Sequence, residues 1–399
     1  MSKDIVTISD LGRIVTGKTP STNNSSFFDG AYQFVTPSDL DWKTYYCRMT
    51  ERTVTDDARK SYLNQFIPGN AVMVTCIGNT IGKCGLSSEG CMTNQQINSI
   101  VPNNGIDPKF VYYLLVHNTD AIRAVGLGGG SATPILNKTS FSKIKLRVPP
   151  PHQWDNIANI LSAYDDLIEN NRRRIQLLEQ AARLLYKEWF VHLRFPGHEH
   201  AKIIDGLPEG WERKRLGDVA VTNTASYKTN NLPREINYID ISSVNQGRIV
   251  TKNRMTSSEA PGRARRKGTD GDVIWSNVRP NLRAYALILD PEENDVFSTG
   301  FTILSPMIIP FSYLYLLVTT DEFVGHLVNH TTGASYPAVR SDDFERAEIL
   351  LPTQQVLEMF HGKIEPAFRM IRLLEKEMKS LSQARDLLLP KLMSGEVAI

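Results

Sequence analysis

Side chains able to do chemistry are thinly spread along this chain, and their spacing favours binding over catalysis. Asp39, Asp41 and Lys43 have the residue types of a nuclease carboxylate pair with a lysine. They occupy a turn-like stretch, however, and the matching stretch later in the chain offers Ser243 and Asn245 instead. The four cysteines, Cys47, Cys76, Cys84 and Cys91, are separated by 29, 8 and 7 positions. Zinc sites pair ligands about two to four residues apart, so free thiols in a reducing cytosol are expected here. His192, His198 and His200 are misplaced for a helical zinc pair and read as linker residues. A phosphate-cradling loop needs a lysine, and Gly126-Leu127-Gly128-Gly129-Gly130-Ser131 has none. The Asn/Asp-Pro-Pro-aromatic loop with which an adenine methyltransferase holds a flipped base is also missing, since the only run of prolines, Pro149-Pro150-Pro151, leads into His152. No catalytic residue and no metal site is expected.

Groups suited to nucleic acid are more plentiful. Arginine grips guanine through two parallel hydrogen bonds, and asparagine or glutamine does the same for adenine. Asn23, Asn24, Asn79, Asn94, Gln95 and Gln96 lie in early loops, and Asn277, Arg279, Asn281 and Arg283 directly follow an apolar run ending at Ser276. Lys18, Lys83 and Lys138 are placed to hold phosphates and set register. The net charge is only +2. By segment it divides into +4 over residues 1–150, 0 over 151–203, −3 over 204–351 and +1 over 352–399. Within the acidic third segment, Arg248, Lys252, Arg254, Arg263, Arg265, Arg266 and Lys267 meet a single acid, Glu259. Local gathering of this kind suits a phosphate-binding face.

The elements that must position these groups are written twice. Leu11-Gly12 returns as Leu216-Gly217, and Gly130-Ser131-Ala132-Thr133-Pro134 returns as Gly333-Ala334-Ser335-Tyr336-Pro337. Those paired loops add Ser131, Thr133, Ser335 and Tyr336 to the candidates. Ile175-Gln176-Leu177-Leu178-Glu179 returns as Ile371-Arg372-Leu373-Leu374-Glu375. The fold class expected is α+β, with an internal pseudo-two-fold repeat. Mixed blocks cover 1–150 and 204–351, and long helical segments cover 151–203 and 352–399. Strands are predicted at Tyr32–Val35, Ala71–Ile77, Ile144–Val148, Tyr238–Ile241, Val273–Ser276 and Ala347–Leu351, with short helices over Pro108–Val116 and Pro310–Val318.

The helical segments repeat apolar residues every 3.5 positions, through Leu161, Ile168, Ile175, Leu178 and Leu185 in one and Ile364, Ile371, Leu374, Leu381 and Leu388 in the other. That period predicts an antiparallel coiled coil within the chain, serving as a spacer; packing of each helix on a separate core is the alternative. Asn171 on the seam fits register setting, although its repeat counterpart is Ala367. Pro366 predicts a kink or break near Glu365. The 399 residues are 41% apolar, which excludes wholesale disorder. No run of 18 apolar residues appears, and Met1 to Ile5 lacks signal-peptide character. A cytoplasmic protein is expected.

Several stretches resemble the specificity subunit of type I restriction-modification enzymes. Leu207-Pro208-Glu209-Gly210-Trp211 before Leu216-Gly217-Asp218-Val219 resembles the start of a target-recognition domain. Gly17-Lys18-Thr19-Pro20-Ser21 and Gly78-Asn79-Thr80-Ile81-Gly82-Lys83 resemble two loops of such a domain. Leu185-Tyr186-Lys187-Glu188-Trp189-Phe190 and Leu389-Pro390-Lys391-Leu392-Met393-Ser394-Gly395-Glu396 resemble the ends of its two helices. The second block carries Val278-Arg279-Pro280-Asn281-Leu282-Arg283 in place of the glycine loop. The resemblance implies two target-recognition domains, each reading half of a bipartite, asymmetric site in double-stranded DNA. It implies helices that set the spacing and dock two modification subunits, which bring S-adenosylmethionine and methylate adenine. Restriction subunits would add ATP- and Mg2+-dependent translocation and cleavage. The chain itself would bind no cofactor and would act in the cytoplasm, on nucleoid DNA. An enzyme fused to a DNA reader and a protein-only scaffold are the rival classes, and steep salt dependence of binding separates a DNA reader from the scaffold.

Overall fold

A computed structural model of the chain describes residues 4–128, 133–228, 231–333 and 336–397. Contacts gather these into two compact units, residues 1–171 with 377–399, and residues 172–376. Each unit holds one block together with part of each long helix.

In the first unit a five-stranded sheet runs in the order Gly12–Thr16, Ile97–Pro102, Val72–Thr75, Cys84–Ser87, Tyr46–Cys47. A second sheet orders Arg52–Val54, Phe28–Val35, Cys91–Thr93, Phe66–Ile67. Val72–Thr75 is buried at every position, as an unbroken apolar run requires when both sheet faces are covered. The helix Pro108–His117 starts where the Asp107 carboxylate accepts from the Lys109 amide at 2.7 Å, with Pro108 in the first turn. It is buried continuously from Phe110 to Leu115, so it needs cover on the side away from the sheet. The central helix, Trp154–Tyr186, supplies part of that cover: Trp154 stacks on Phe110 with ring centroids 4.5 Å apart. Leu161, Leu389, Leu392 and Met393 join the same core. Each such side chain contributes about 1.5–3 kcal/mol by leaving water.

The second unit repeats this plan. One sheet orders Ala220–Thr222, Phe301–Pro306, Val273–Ser276, Tyr285–Leu287, and the other orders Asn253–Thr256, Glu235–Ile239, Asp295–Ser298, Ala264–Arg266. Even the parallel strand pairs correspond, Phe34 facing Met92 in one block and Tyr238 facing Val296 in the other. The helix Phe311–Val318 is buried from Ser312 onward, and the enclosed Trp275 donates its Nε1–H to the Val318 carbonyl at 3.0 Å. Aromatic rings take the place of aliphatic cover here. Phe190 lies 4.7 Å from Tyr313 and 4.8 Å from Phe360, in a π-helical turn, Lys187–Val191, that follows the central helix.

The two long helices pack together in antiparallel order. In the first unit Asp165 meets Arg385 and Asn171 meets Glu377, so partner numbers fall as the central helix advances. Leu161, Ile168, Ile175, Ile364, Ile371 and Leu374 are buried, whereas Leu178, Leu185, Leu381 and Leu388 are half-buried. Asn171 on the seam donates to the Glu377 carboxylate at 3.0 Å; antiparallel pairing, unlike the repeat, does not set it against Ala367. The break expected at Pro366 does not occur, and the last helix is continuous from Gln354 to Ser394. Pro366 and Gly362, whose carbonyl loses its N–H donor, both lie on the exposed face. Water can satisfy that carbonyl, and the glycine has no side chain to crowd the ring. No helix among the described residues is long and apolar enough to cross a membrane.

A buried ion pair interrupts the apolar packing of the first unit. The Asp165 carboxylate, 2% exposed, pairs with the Arg385 guanidinium, 12% exposed, and accepts the Tyr113 hydroxyl at 2.6 Å. Burial raises the Asp165 pKa despite the arginine, because desolvation of a carboxylate outweighs one close opposite charge. Arg385→Ala is expected to lower stability by about 3–5 kcal/mol, while Asp165→Leu with Arg385→Met restores most of it. Denaturant unfolding of the full chain measures both. An unchanged midpoint for Arg385→Ala would show that the pair holds nothing together.

Candidate nucleic-acid interface

In the first unit the neighbouring strands Val72–Thr75 and Ile97–Pro102 release two segments at the same sheet edge. The Cys76 amide donates to the Gln96 carbonyl at 2.8 Å, and the Lys18 amide to the Thr93 carbonyl at 2.8 Å. Gly17 makes the second approach possible, since a Cβ there would lie 2.2 Å from the Asn94 carbonyl oxygen. The Gly78 amide donates to Pro134 at 2.8 Å, and Ile77 pairs with Ile135. Loops starting near residues 17, 76, 94 and 133 therefore meet at one edge.

The edge presents hydrogen-bonding groups. Lys18, Ser21, Asn23, Asn79, Gln95, Thr133 and Lys138 are exposed. The Lys18 ammonium lies over the Tyr62 ring, 5.4 Å from its centre. Thr19 donates its hydroxyl to Gln95 Oε1 at 2.8 Å, and Asn94 Nδ2 donates to Gln96 Oε1 at 3.2 Å. Two candidates are engaged in the fold itself. Asn24 caps a short turn by accepting from Ser26, and the Lys83 ammonium donates to the Leu40 carbonyl at 2.9 Å. Ser131 lies outside the described residues.

The second unit builds the same edge from different side chains. The Asn277 amide donates to Gly300, the Thr299 amide to Arg263 and the Arg279 amide to Pro337, each at 2.8 Å. Val278 pairs with Ala338 as Ile77 pairs with Ile135. Asn277 Oδ1 accepts from the Thr302 hydroxyl at 2.7 Å, and Arg283 is paired with Asp321. Arg279, Asn281 and Tyr336 are exposed, with the Arg279 guanidinium over the Tyr336 ring at 5.2 Å. Ser335 lies outside the described residues.

The loops differ at two positions of positive φ. Gly78 and Gly82 have φ of +54° and +93°, and their places in the second block belong to Arg279 at +50° and Arg283 at +55°. Glycine takes this left-handed region freely, whereas a side chain there costs about 1–2 kcal/mol.

The basic stretch divides. Contrary to the sequence reading, acids do reach it: Arg248 pairs with Glu179 at 3.2 Å and Lys252 with Asp295 at 2.7 Å, and Arg254 pairs with Glu235. Arg263, Arg265, Arg266 and Lys267 have no ion pair among the described residues. Arg265 donates to the Ala264 carbonyl, and Lys267 lies over the Tyr227 ring at 4.1 Å. Burial lowers the Arg266 pKa, and its Nε has no hydrogen-bond partner. Sequence reading missed Asn223, which joins the second edge by donating its amide to Ile303 at 2.8 Å. It also missed the half-exposed Trp42, covered by the Arg123 guanidinium at 5.1 Å. A tryptophan in a polar loop was the available signal.

Among the described residues, the candidate reactive groups are engaged in the fold. Asp39 and Asp41 cap local turns by accepting from the Thr36 and Lys43 amides. Burial pushes the Cys47 and Cys76 thiols up to about 11, and Cys84 and Cys91 higher, so all four remain protonated and non-nucleophilic near neutrality. No group of three or more His, Cys, Asp or Glu is placed to hold a metal ion among the described residues.

A duplicated α+β block with a polar, cation-bearing loop edge, joined to paired long helices, defines a two-block recognition protein. Residues 2–180 match the family described as type I restriction modification DNA specificity domain. The chain is 28% identical to the type I restriction enzyme MjaIX specificity subunit of Methanocaldococcus jannaschii, over 99% of this chain and 94% of that one. It is 34% identical to the HindI specificity subunit of Haemophilus influenzae, over 36% of this chain and 31% of that one. Its fold is that of the S subunit of a type I restriction-modification system from M. genitalium, with a TM-score of 0.64 at 17% identity, covering 98% of this chain and 96% of that chain. Residues 2–180 thus carry the type I DNA specificity domain, and along nearly its whole length the chain is similar to specificity subunits of type I restriction-modification systems.

The geometry separates lysines that share a charge but differ in use. Lys18→Ala and Lys267→Ala are expected each to lower the salt slope of duplex binding by about one unit. Lys83→Met should leave that slope alone and cost about 1 kcal/mol of stability through the lost Leu40 bond. Fluorescence anisotropy across a salt series reads the slopes, and an equal loss for Lys83→Met would contradict the assignment.

Proposed function

We propose that each block reads one half of a bipartite, asymmetric site in double-stranded DNA. The observation that carries this is the duplicated edge: Gly78 to Pro134 in one block and Arg279 to Pro337 in the other fix equivalent loops at equal 2.8 Å bonds. Equal frames with different side chains suit two related modules that read different sequences. Exposed amides and Arg279 supply base-edge partners, and Lys18, Lys138 and the strand Ala264–Arg266 with its neighbours supply phosphate partners.

The paired helices set the distance between half-sites and dock two modification subunits, each an adenine methyltransferase. Duplication supports that stoichiometry, since two similar faces fit two copies of one partner. Restriction subunits complete an endonuclease. This chain holds no active centre, and S-adenosylmethionine, ATP and Mg2+ belong to the partner subunits. The complex works in the cytoplasm, on nucleoid DNA.

Mapping methylated adenines in cells carrying this chain and its modification subunits is the test. A single split motif with a fixed gap is expected, and methylation without sequence preference would refute the reading. One heptad inserted into each helix, after Asn171 and after Lys376, adds about 10 Å. The mapped gap should widen by about three base pairs at 3.4 Å each. An unchanged gap would refute the spacing role.

A further inference from the structure

We propose that Arg279 is the residue with which the second block reads a guanine, and that Tyr336 positions it. The inference rests on the DNA-reading function above and deepens it. Arg279 is exposed at the end of a loop tied to the neighbouring loop by its own amide, which donates to Pro337 at 2.8 Å. The Val278–Ala338 bridge holds the same two loops in register. The guanidinium lies over the Tyr336 ring at 5.2 Å, and Tyr336 is 70% exposed. An aromatic ring beside an arginine limits the orientations of its planar fork and can leave N–H donors free for a base. Guanine offers two acceptors, O6 and N7, at the spacing of that fork.

The repeat within the chain supports a selected side chain rather than an accidental one. The first block fills both left-handed positions of this loop with Gly78 and Gly82, whereas the second fills them with Arg279 and Arg283. Strained positions that keep a long side chain are a mark of functional sites. The two arginines have different uses. Arg283 is taken by Asp321, and Asn277 by Thr302. Arg279 has no carboxylate partner among the described residues and follows two residues after Asn277, whose amide donates to Gly300. The same turn donates from the Thr299 amide to the carbonyl of Arg263, the first residue of the basic cluster. The first block, with glycine at the equivalent place, cannot make this contact and must use other groups, such as Asn79 and Gln95, for its half-site.

The test uses the complex of the full chain with its modification subunits, on duplexes carrying the mapped motif. Each guanine is replaced singly by 7-deazaguanine, which lacks the N7 acceptor. The unaltered protein should lose about 5- to 150-fold in affinity at one guanine of one half-site. Arg279→Gly should bind the natural motif more weakly by a similar factor and ignore that replacement, with the other half-site unaffected. Relief of the left-handed strain means that its melting temperature should not fall. Tyr336→Phe should keep the discrimination and Tyr336→Ala should reduce it, which a merely structural ring would not do. Retained sensitivity at every guanine in Arg279→Gly overturns the inference. So does complete loss of binding at an unchanged melting temperature, since one base contact is not the whole affinity. Absence of any split motif for the unaltered complex would instead count against the DNA-reading function itself.

Discussion

Each block leaves one face of a largely buried helix uncovered by its sheets, and the long helices cover it. In the first unit that cover comes from both ends of the chain order: Trp154 and Leu161 from the central helix, Leu389, Leu392 and Met393 from the last. In the second, Tyr186 and Phe190 lie against Tyr313, and Trp189 and Phe360 pack on Phe190. A block without its helices would expose this surface. The coiled coil is therefore a structural part of each block and not an appended rod. The buried Asp165–Arg385 pair with Tyr113 adds direction to this packing, because a charge left unpaired in the core costs more than the pair contributes.

Fixing the helix face fixes the sheet, and the sheet fixes the edge where strands end. The turn 93–96 accepts the amides of Lys18 and Cys76, and the turn 299–300 accepts the Asn277 amide and donates to the Arg263 carbonyl, so side chains on those loops stand on a frame held by backbone bonds. Backbone bonds do not depend on which side chains are present. The frame can thus be kept while its residues change, as the replacement of Gly78 by Arg279 at a similar positive φ illustrates. Recognition chemistry and fold stability are separated in this design.

Much of this was legible in the sequence because it depends on local pattern. Val273–Ser276 was predicted at its observed bounds, and the seam residues Leu161, Ile168 and Ile175 are buried as the 3.5-residue period requires. The continuous helix through Pro366 was not legible, because the period does not say which face meets water. Partners far along the chain were not legible either. Lys252 finds Asp295, Lys83 finds the Leu40 carbonyl and Asn171 finds Glu377, each through folding that brings distant segments together. The left-handed backbone of Arg279 was also hidden, since arginine carries no signal for positive φ.

We propose that the loop edge of each unit contacts the duplex. Backbone hydrogen exchange of the full chain in complex with its modification subunits, with and without duplex carrying the mapped motif, tests this most directly. Slowed exchange is predicted in 76–83 and 94–96 and also in 277–283 and 299–300. Protection in one unit alone, or confined to the long helices, would contradict the account.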